Sequence, residues 1–401
     1  MNSAYRDGAA PEQDFARLLM VMTLTAFVCG GGIHYQTPML EAIAADLDAT
    51  RSQMGWIPTL SFGGMFVGML LLVPLGDRVD RRPLILAKLG VLCLAQAGMA
   101  FAPSIHWLAL GSFVTGVSSC LVQGMMAIVA GGAKPSERGR AVGTLFTGLF
   151  VGILFARIMG GVMASHFGWR SSYVLSSAML AVMFAVLSAR LPHSQPSVAG
   201  SYGALLRSVF DLLRSNVHIR RAASIQFMLG VCYGGFWAVI APMMTLHHGL
   251  TPAQIGLIGI PGAAGILVAR PAGRWMDRSG ILPVAGTAIA AMVTAWIILG
   301  FGVWTIVAVV IGVILLDCAL RAALVSNQTL VGTAAPTARA RANTVFGTHA
   351  WAGNATGAFL ANQAFIQVGW FAVCATALLA CSIALVIHLR ARQDARRPPT
   401  D

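Results

Sequence analysis

Four long stretches of this sequence contain no Asp, Glu, Lys or Arg: Leu89–Ala133, Ala222–Ala269, Ser279–Leu316 and Ala342–Leu389. A membrane-spanning helix needs about 20 mostly apolar residues, so each stretch is long enough for two spans and reads as a helical hairpin. Pro103-Ser104 breaks the first, and His247-His248-Gly249 with Thr251-Pro252 breaks the second. The chain is 57% hydrophobic and only 10% charged, against about 25% charged in soluble domains. It cannot hide that much apolar surface from water, so its solvent is lipid. The expectation is an all-α membrane protein of twelve transmembrane helices, near 17–36, 53–75, 84–102, 107–130, 139–163, 170–190, 220–246, 253–273, 281–301, 303–330, 342–365 and 370–390. Strands of a transmembrane barrel would alternate apolar and polar residues; these segments do not.

Basic residues orient the chain. Only Arg51 and Arg170 fall in loops on one side, and Arg157, Arg270 and Arg321 fall inside spans; the other 22 of the 27 basic residues sit at or near the opposite face. That face is expected to be cytoplasmic and to carry both termini. The net charge of +13 follows from this bias and calls for no nucleic-acid partner. The polar first 16 residues and the spanning length of the first apolar run argue against a cleaved signal. All seven cysteines lie in apolar spans with no CxxC spacing, which argues against disulfides and against a metal site. The expected organisation is a tail (1–16), a six-helix bundle (17–190), a linker with an amphipathic segment (191–219), a second six-helix bundle (220–390) and a second tail (391–401).

Between the second and third spans lies a tight charge cluster, Gly76-Asp77-Arg78-Val79-Asp80-Arg81-Arg82, and about 200 residues later comes Gly273-Arg274-Trp275-Met276-Asp277-Arg278-Ser279-Gly280. Further pairs share this offset: Pro135, Arg138 and Arg140 with Pro336, Arg339 and Arg341; Gly152 with Gly353; Gly168-Trp169 with Gly369-Trp370. Two six-span units repeated in parallel are the architecture described for the major facilitator fold. Over almost its whole length the chain resembles the major facilitator superfamily, nearest its twelve-span bacterial drug/proton antiporter-type permeases. The first cluster resembles that family's motif A, G-x-x-x-D-R-x-G-R-R, with Asp77, Arg78, Arg81 and Arg82 kept and Val73 and Asp80 standing where glycines are usual. Gly273, Asp277, Arg278 and Gly280 fit the pattern at every matching position.

Asp77 closes the end of a helix whose dipole disfavours a carboxylate. It is therefore expected to face the start of span 11, near Arg339 and Arg341, and Asp277 to face the start of span 5, near Arg138 and Arg140. Contacts of this kind would latch one side of the protein shut, which is the role the resemblance gives to motif A. A solvated basic loop is the plainer alternative.

Ionisable groups at membrane depth are rare and usually functional. Asp317 is the one acid deep in a span, and Arg321 follows it on the same helix face; the two form either a structural ion pair or a site for a proton or substrate. The run Gly143-x8-Gly152-x3-Ala156-Arg157-x2-Gly160-Gly161 resembles the antiporter motif C, with Ala156-Arg157 replacing its Gly-Pro. Arg157 thus offers a cation to an anionic or zwitterionic substrate, or a structural partner to another group. Ser112 stands where the family's motif B arginine precedes Gly116, and span 1 holds no acid. Asp317 and His34 are left as the proton-coupling candidates. Other candidates for a substrate cavity are Tyr35, Gln36, Gln123, Gln226, Tyr233, Trp237, Asn327, His349, Trp351 and Asn354.

No P-loop, HExxH or GxSxG pattern marks an enzyme, and no cofactor is implied. The reading is a monomeric secondary transporter of a small organic solute, exporting it against protons. The alternative is an importer or facilitator of a small organic anion or zwitterion on the same fold.

Overall fold

The computed structural model describes residues 12–194 and 201–394, apart from the side chains of Glu12, Ala269 and Arg270. The expected tails before residue 12 and after 394, and linker residues 195–200, lie outside the described residues. Twelve long helices follow one another: α1 Glu12–Gly31, α2 Arg51–Leu75, α3 Arg81–Ala100, α4 Ile105–Gly132, α5 Arg138–Phe167, α6 Trp169–Arg190, α7 Val217–His248, α8 Pro252–Ser279, α9 Ile281–Val303, α10 Ile306–Ala334, α11 Arg339–Gln367 and α12 Trp370–Asp394. Eleven of them, among the described residues, are long and apolar enough to cross a membrane. The exception is α11, whose 29 residues include Asn343, Thr344, Thr348, His349, Asn354 and Asn362. It affords this polarity because much of it faces other helices, with Thr344, Thr348, Asn354 and Asn362 buried.

The repeat seen in the sequence is built into the packing. Gly168 and Gly369 have φ of 80° and 101°, a region closed to most side chains, and each turns the chain into a buried tryptophan that opens the next helix, Trp169 or Trp370. A Cβ on Gly152 would lie 1.9 Å from the Phe27 carbonyl oxygen, and one on Gly353 would lie 2.1 Å from that of Phe227. So α5 crosses α1 as α11 crosses α7, with backbones in close approach of the kind small residues permit in membranes. α2 and α8 also begin alike, on capping boxes made by Thr50 with Gln53 and Thr251 with Gln254, which satisfy orphaned helix amides.

The face carrying Gly76–Asp80 also receives the start of α1, the start of α7 and the end of α12, where Arg221 pairs with Asp394. This is the arginine-rich face. Along it lies an amphipathic helix, Tyr202–Ser215, with Val209 buried and Arg207 and Arg214 outward. α7 is almost wholly enclosed by its neighbours. Its Phe236 packs against Trp296 and Trp370 at ring-centroid distances of 6.3 and 6.5 Å, the edge-on geometry aromatic quadrupoles favour.

Two seams join the halves. Along α2 and α11 the seam is filled from Trp56 to Met69: Trp56 meets Phe359 at 5.8 Å, Phe62 meets Trp351 at 5.9 Å, and a Cβ on Gly347 would come within 2.3 Å of Met69 Cε; beyond Met69, toward the arginine-rich face, a cavity opens between the two helices. Along α5 and α8 it is tight only away from the arginine-rich face. There a Cβ on Gly161 would strike the Pro252 carbonyl at 2.2 Å. Toward the arginine-rich face Gly143 and Gly273 border open space and Leu267 is 76% exposed. The molecule is closed at the far face and parted on this one.

Asp80, which stands where motif A usually has glycine, has a structural task. Its carboxylate caps α3 by accepting from the Arg82 amide at 3.0 Å, accepts from the Ser194 amide at 2.9 Å, and pairs with His193. Burial alone would raise its pKa, but the hydrogen bonds from Ser194, Arg82 and His193 outweigh that and hold it at about 2. A depressed carboxylate stabilises the fold above its unfolded pKa and loses that contribution as pH falls toward the folded value. Asn keeps an N-cap acceptor but loses the charge, so Asp80→Asn should cost about 1–2 kcal/mol at neutral pH. The deficit should vanish on acidification from pH 4 toward 2; equal deficits at pH 7 and 2.5 in thermal unfolding would refute this.

Candidate functional site

The site begins with α8, which is not a regular helix. It is interrupted at Ile258 and Ala263, and glycines recur at every third position: Gly256, Gly259, Gly262 and Gly265. Without side chains the strip admits two charged neighbours, one from each half. From α5, Arg157 lies across its upper part: a Cβ on Gly256 would meet the Arg157 carbonyl oxygen at 2.5 Å, and one on Gly259 would meet its Cδ at 3.2 Å. From α10, Asp317 lies across the lower part, where a Cβ on Gly262 would fall 2.7 Å from Oδ2.

Around this strip the buried charges gather. The Tyr233 hydroxyl donates to Asp317 Oδ1 at 3.3 Å, and Arg321 Nη2 stands 4.0 Å from the same oxygen. The Arg157 guanidinium stacks 3.3 Å from the Trp237 ring centroid, and that of Arg321 lies 4.0 Å from the ring of Phe150. Both arginines act electrostatically on Asp317, Tyr233 and His34. Five polar atoms here have no hydrogen-bond partner: Arg157 Nε and Nη2, Arg321 Nε, Asp317 Oδ2 and Trp237 Nε1. Among the described residues no carboxylate approaches Arg157 within 4 Å, although it is only 4% exposed. The centre thus holds two guanidinium ions and one carboxylate. The pocket between α5, α7, α8 and α10 measures only about 20 Å³, little more than one water, so a solute requires the seam to part.

The structure brings together Arg157, Tyr233, Trp237, Asp317 and Arg321, with His34 beside them. It disperses the other candidates. α1 ends at Gly31, so His34, Tyr35 and Gln36 occupy a buried turn beyond it. Gln36 is a cross-link inside the first half, donating to Ser61 at 2.7 Å and accepting from Ser112 at 3.2 Å. Tyr35 is buried beside Met39, Trp169 and Tyr173. Gln226 accepts from Asn327 at 3.5 Å between α7 and α10. His349 and Asn354 bond back to their own helix at 2.8 Å, and Trp351 sits on the other seam against Phe62. Of the motif C-like glycines, Gly152 and Gly161 meet backbone of a facing helix and Gly160 meets that of Tyr35 in the turn after α1, whereas Gly143 borders open space.

The two charged loops stand differently. Asp77 pairs with Arg81 at 2.9 Å and lines a cavity of about 410 Å³ together with Arg339 and Arg341. Arg82 bonds the Ser188 carbonyl at 2.8 Å, and Arg78 is half-buried with Nε unpaired. Asp277 and Arg278 are exposed, with no hydrogen bond or ion pair among the described residues. The expected approach of Asp277 to the start of α5 is not made in this conformation, because that seam is the one that has parted.

Three features escape a reading by charge-free stretches: the three-residue glycine period in α8, which was legible, the stacking role of Phe150, and Lys88. The last lies within the expected span 84–102 and is counted with the basic residues at or near the arginine-rich face, but is buried inside α3, 6% exposed.

Paired helical halves meeting at buried, incompletely matched charges are the build of a membrane transporter that works by alternating access. Comparison with known proteins agrees. The Major Facilitator Superfamily pattern matches residues 22–236 and again 222–401. Over 373 residues the chain is 31% identical to "Uncharacterized transporter YgaY" of Escherichia coli O157:H7, covering 92% of this chain and 93% of that one. It is also 31% identical to "Probable transporter SCO4007" of Streptomyces coelicolor, at 92% and 86% coverage. Shorter matches reach "Multi-drug resistance efflux pump PmrA" of Streptococcus pneumoniae, 27% over 158 residues and about two fifths of each chain, and "Niacin transporter NiaP" of Acinetobacter baylyi, 26% over 159 residues, 39% of this chain and 36% of that one. A solved bacterial homolog of the human lysosomal transporter Spinster, in an inward-facing and occupied conformation, superposes with a TM-score of 0.73 at 16% identity, covering 98% and 100% of the two chains. The chain belongs to the Major Facilitator Superfamily and is one of its transporters.

The glycine strip yields a test. Gly262→Ala should cost about 1–3 kcal/mol by overpacking against Asp317, and that cost should disappear in an Asp317→Ala background. Thermal unfolding of the four proteins of this cycle measures the coupling. An equal cost in both backgrounds would show that the strip does not hold Asp317.

Proposed function

We propose that this transporter carries a small organic anion, held in transit between Arg157 and Arg321, with the arginine-rich face toward the cytoplasm and the chain seated in a bacterial inner membrane. The carrying observation is Arg157: a buried guanidinium with two unpaired nitrogens and, among the described residues, no carboxylate in reach. An unmatched charge in a low-dielectric interior is costly, and the face of Trp237 offsets only part of that. A carboxylate or similar group bridging the two arginines supplies the missing charge and accepts from the free N–H groups. Trp237, Tyr233 and Phe150 offer flat surfaces to an aromatic or apolar body.

Motif A acts in this reading as the latch of the cytoplasmic side. The half containing Asp277 is released here, while Asp77 remains close to the start of α11. Closing the α5–α8 seam would bring Asp277 toward Arg138 and Arg140 and hide the central charges from the cytoplasm.

The coupling reading follows from the charges. Efflux driven by protons requires solute and proton to displace each other. At this site an anion drawn to the arginines takes Arg321 from Asp317 and leaves a second negative charge beside it. Anion and proton then favour each other's binding, by reciprocal linkage. For an anion the geometry favours co-transport with a proton over proton-driven export. A neutral or cationic solute that competes with the proton for Asp317 would reverse the sign. Kinship does not choose between them, since the partial relatives include both an efflux pump and a niacin transporter.

A thermal-shift screen of small organic acids against the purified protein tests the reading, since a bound ligand raises the midpoint by mass action. Arg157→Gln should lose the shift, with affinity falling by about 30-fold or more, as for truncating one partner of a buried charge pair at about 2–5 kcal/mol. Neutral analogues should give none. Anion binding that is unchanged in Arg157→Gln would end the proposal.

A further inference from the structure

The central pocket is not the only place where a cation lies at membrane depth. Lys88 stands seven residues inside α3, about 10 Å beyond Arg81 along the helix. A lysine near a helix end usually snorkels toward water, but this one is 6% exposed and turned inward. Its neighbour is the irregular end of α2. Residues Gly68–Leu72 form a π turn, Pro74 lacks an amide, and Gly76 turns its own amide to the Val73 carbonyl at 3.1 Å. The carbonyls left outside the regular ladder are met from elsewhere. The Tyr202 hydroxyl donates to Leu71 at 2.5 Å, and the Lys88 ammonium donates to Leu72 at 3.4 Å.

That one long contact does not use up the ammonium. It has three donors, the Cys120 thiol beside it is a weak partner, and among the described residues no carboxylate lies within 4 Å of it. Asp77, on the same cavity wall, is already paired with Arg81. The cavity, of about 310 Å³, is bounded by α2, α3, α4, α5 and the start of α11. Gln123 and Asn343 also line it, and their side-chain amides have no hydrogen-bond partner among the described residues. Its size is that of a small-ligand pocket, and it reaches the arginine-rich face at Gly76 and Asp77.

We infer that this cavity is a second anion subsite, an anteroom on the arginine-rich side in which a carboxylate or sulfonate rests on the Lys88 ammonium with Gln123 and Asn343 beside it. Its assignment to the transport route rests on the anion reading above, but the subsite is separate from Arg157 and Arg321. The arrangement explains why a lysine is kept at depth where an apolar residue would pack: it draws anions into the gap between the halves. It also gives Gln123 a role that its distance from the central cluster would otherwise deny it.

The experiment places a cysteine at Gln123 and measures its modification in inside-out membrane vesicles by an anionic and by a cationic methanethiosulfonate of similar size. The parent with Gln123 gives the background from the seven native cysteines, five of which are buried. A charged cavity concentrates ions of opposite sign by about 10-fold or more. The anionic reagent should therefore react about 10-fold faster than the cationic one. In Lys88→Gln the two rates should converge, Lys88→Arg should keep the preference, and benzoate should slow labelling only where the cation is kept. Equal rates with Lys88 in place, a preference that survives Lys88→Gln, or no labelling of the cysteine from this side would each overturn the subsite. Arg157→Gln should leave the preference intact, so failure of the central site appears separately, as lost anion binding without lost labelling preference.

Discussion

A guanidinium in hydrocarbon must be matched, and the centre of this transporter is arranged around one that is not. Arg157 rests on the bare backbone of α8, against the face of Trp237, with its nearest acid already engaged by Tyr233 and facing Arg321. The three-residue glycine period of α8, its two interruptions and the short contacts at Gly256 and Gly262 follow from the need to bring one charge from each half onto a single strip. The pocket they leave holds little more than one water. On the proposed reading, solute binding and separation of the halves are therefore the same event at this seam.

The fold was legible because lipid imposes it. Charge-free runs can only be spans, and a 200-residue offset in glycines, prolines and arginines can only be a repeated unit. The glycines proved the most literal part of that record: Gly168 and Gly369 are positive-φ turns, and Gly152 and Gly353 are backbone crossings. The ends of spans were less legible. α1 stops at Gly31, ahead of the polar His34-Tyr35-Gln36, because Gln36 satisfies Ser61 and Ser112 within its own half instead of facing the seam. α11 was expected as a span like the others, yet it is too polar to stand out by apolarity, since its amides and hydroxyls are turned toward neighbouring helices.

The central site was legible where a residue type is improbable in lipid and illegible where it is ordinary. Arg157, Asp317 and Arg321 stand out in any apolar run, and the structure brings them together. Gln226, Asn327 and Asn354 are equally polar but are satisfied by each other or by their own backbone, a distinction that spacing along one helix cannot reveal. Lys88 was missed in the opposite sense: counted only among the basic residues at or near one face, it is carried by seven residues of helix beyond Arg81 into a buried environment.

The two seams explain how one molecule can be closed on one side and open on the other. α2 against α11 is filled by large side chains, Trp56 with Phe359, Phe62 with Trp351 and Met69 over Gly347, which can tilt about one another and stay in contact. α5 against α8 is joined by backbone on backbone at Gly161 and Gly256. Such contacts have steep distance dependence and are either made or lost. A rocking motion that uses the first seam as its hinge and the second as its gate therefore costs little at α2–α11 and is nearly all-or-none at α5–α8. The motif A copies fit this division. The first, beside the α2–α11 seam, is fastened by Asp80 to the segment that follows α6 and keeps Asp77 paired. The second, beside the parted seam, follows the family pattern fully and makes no hydrogen bond or ion pair among the described residues, as the proposed latch requires of a released catch.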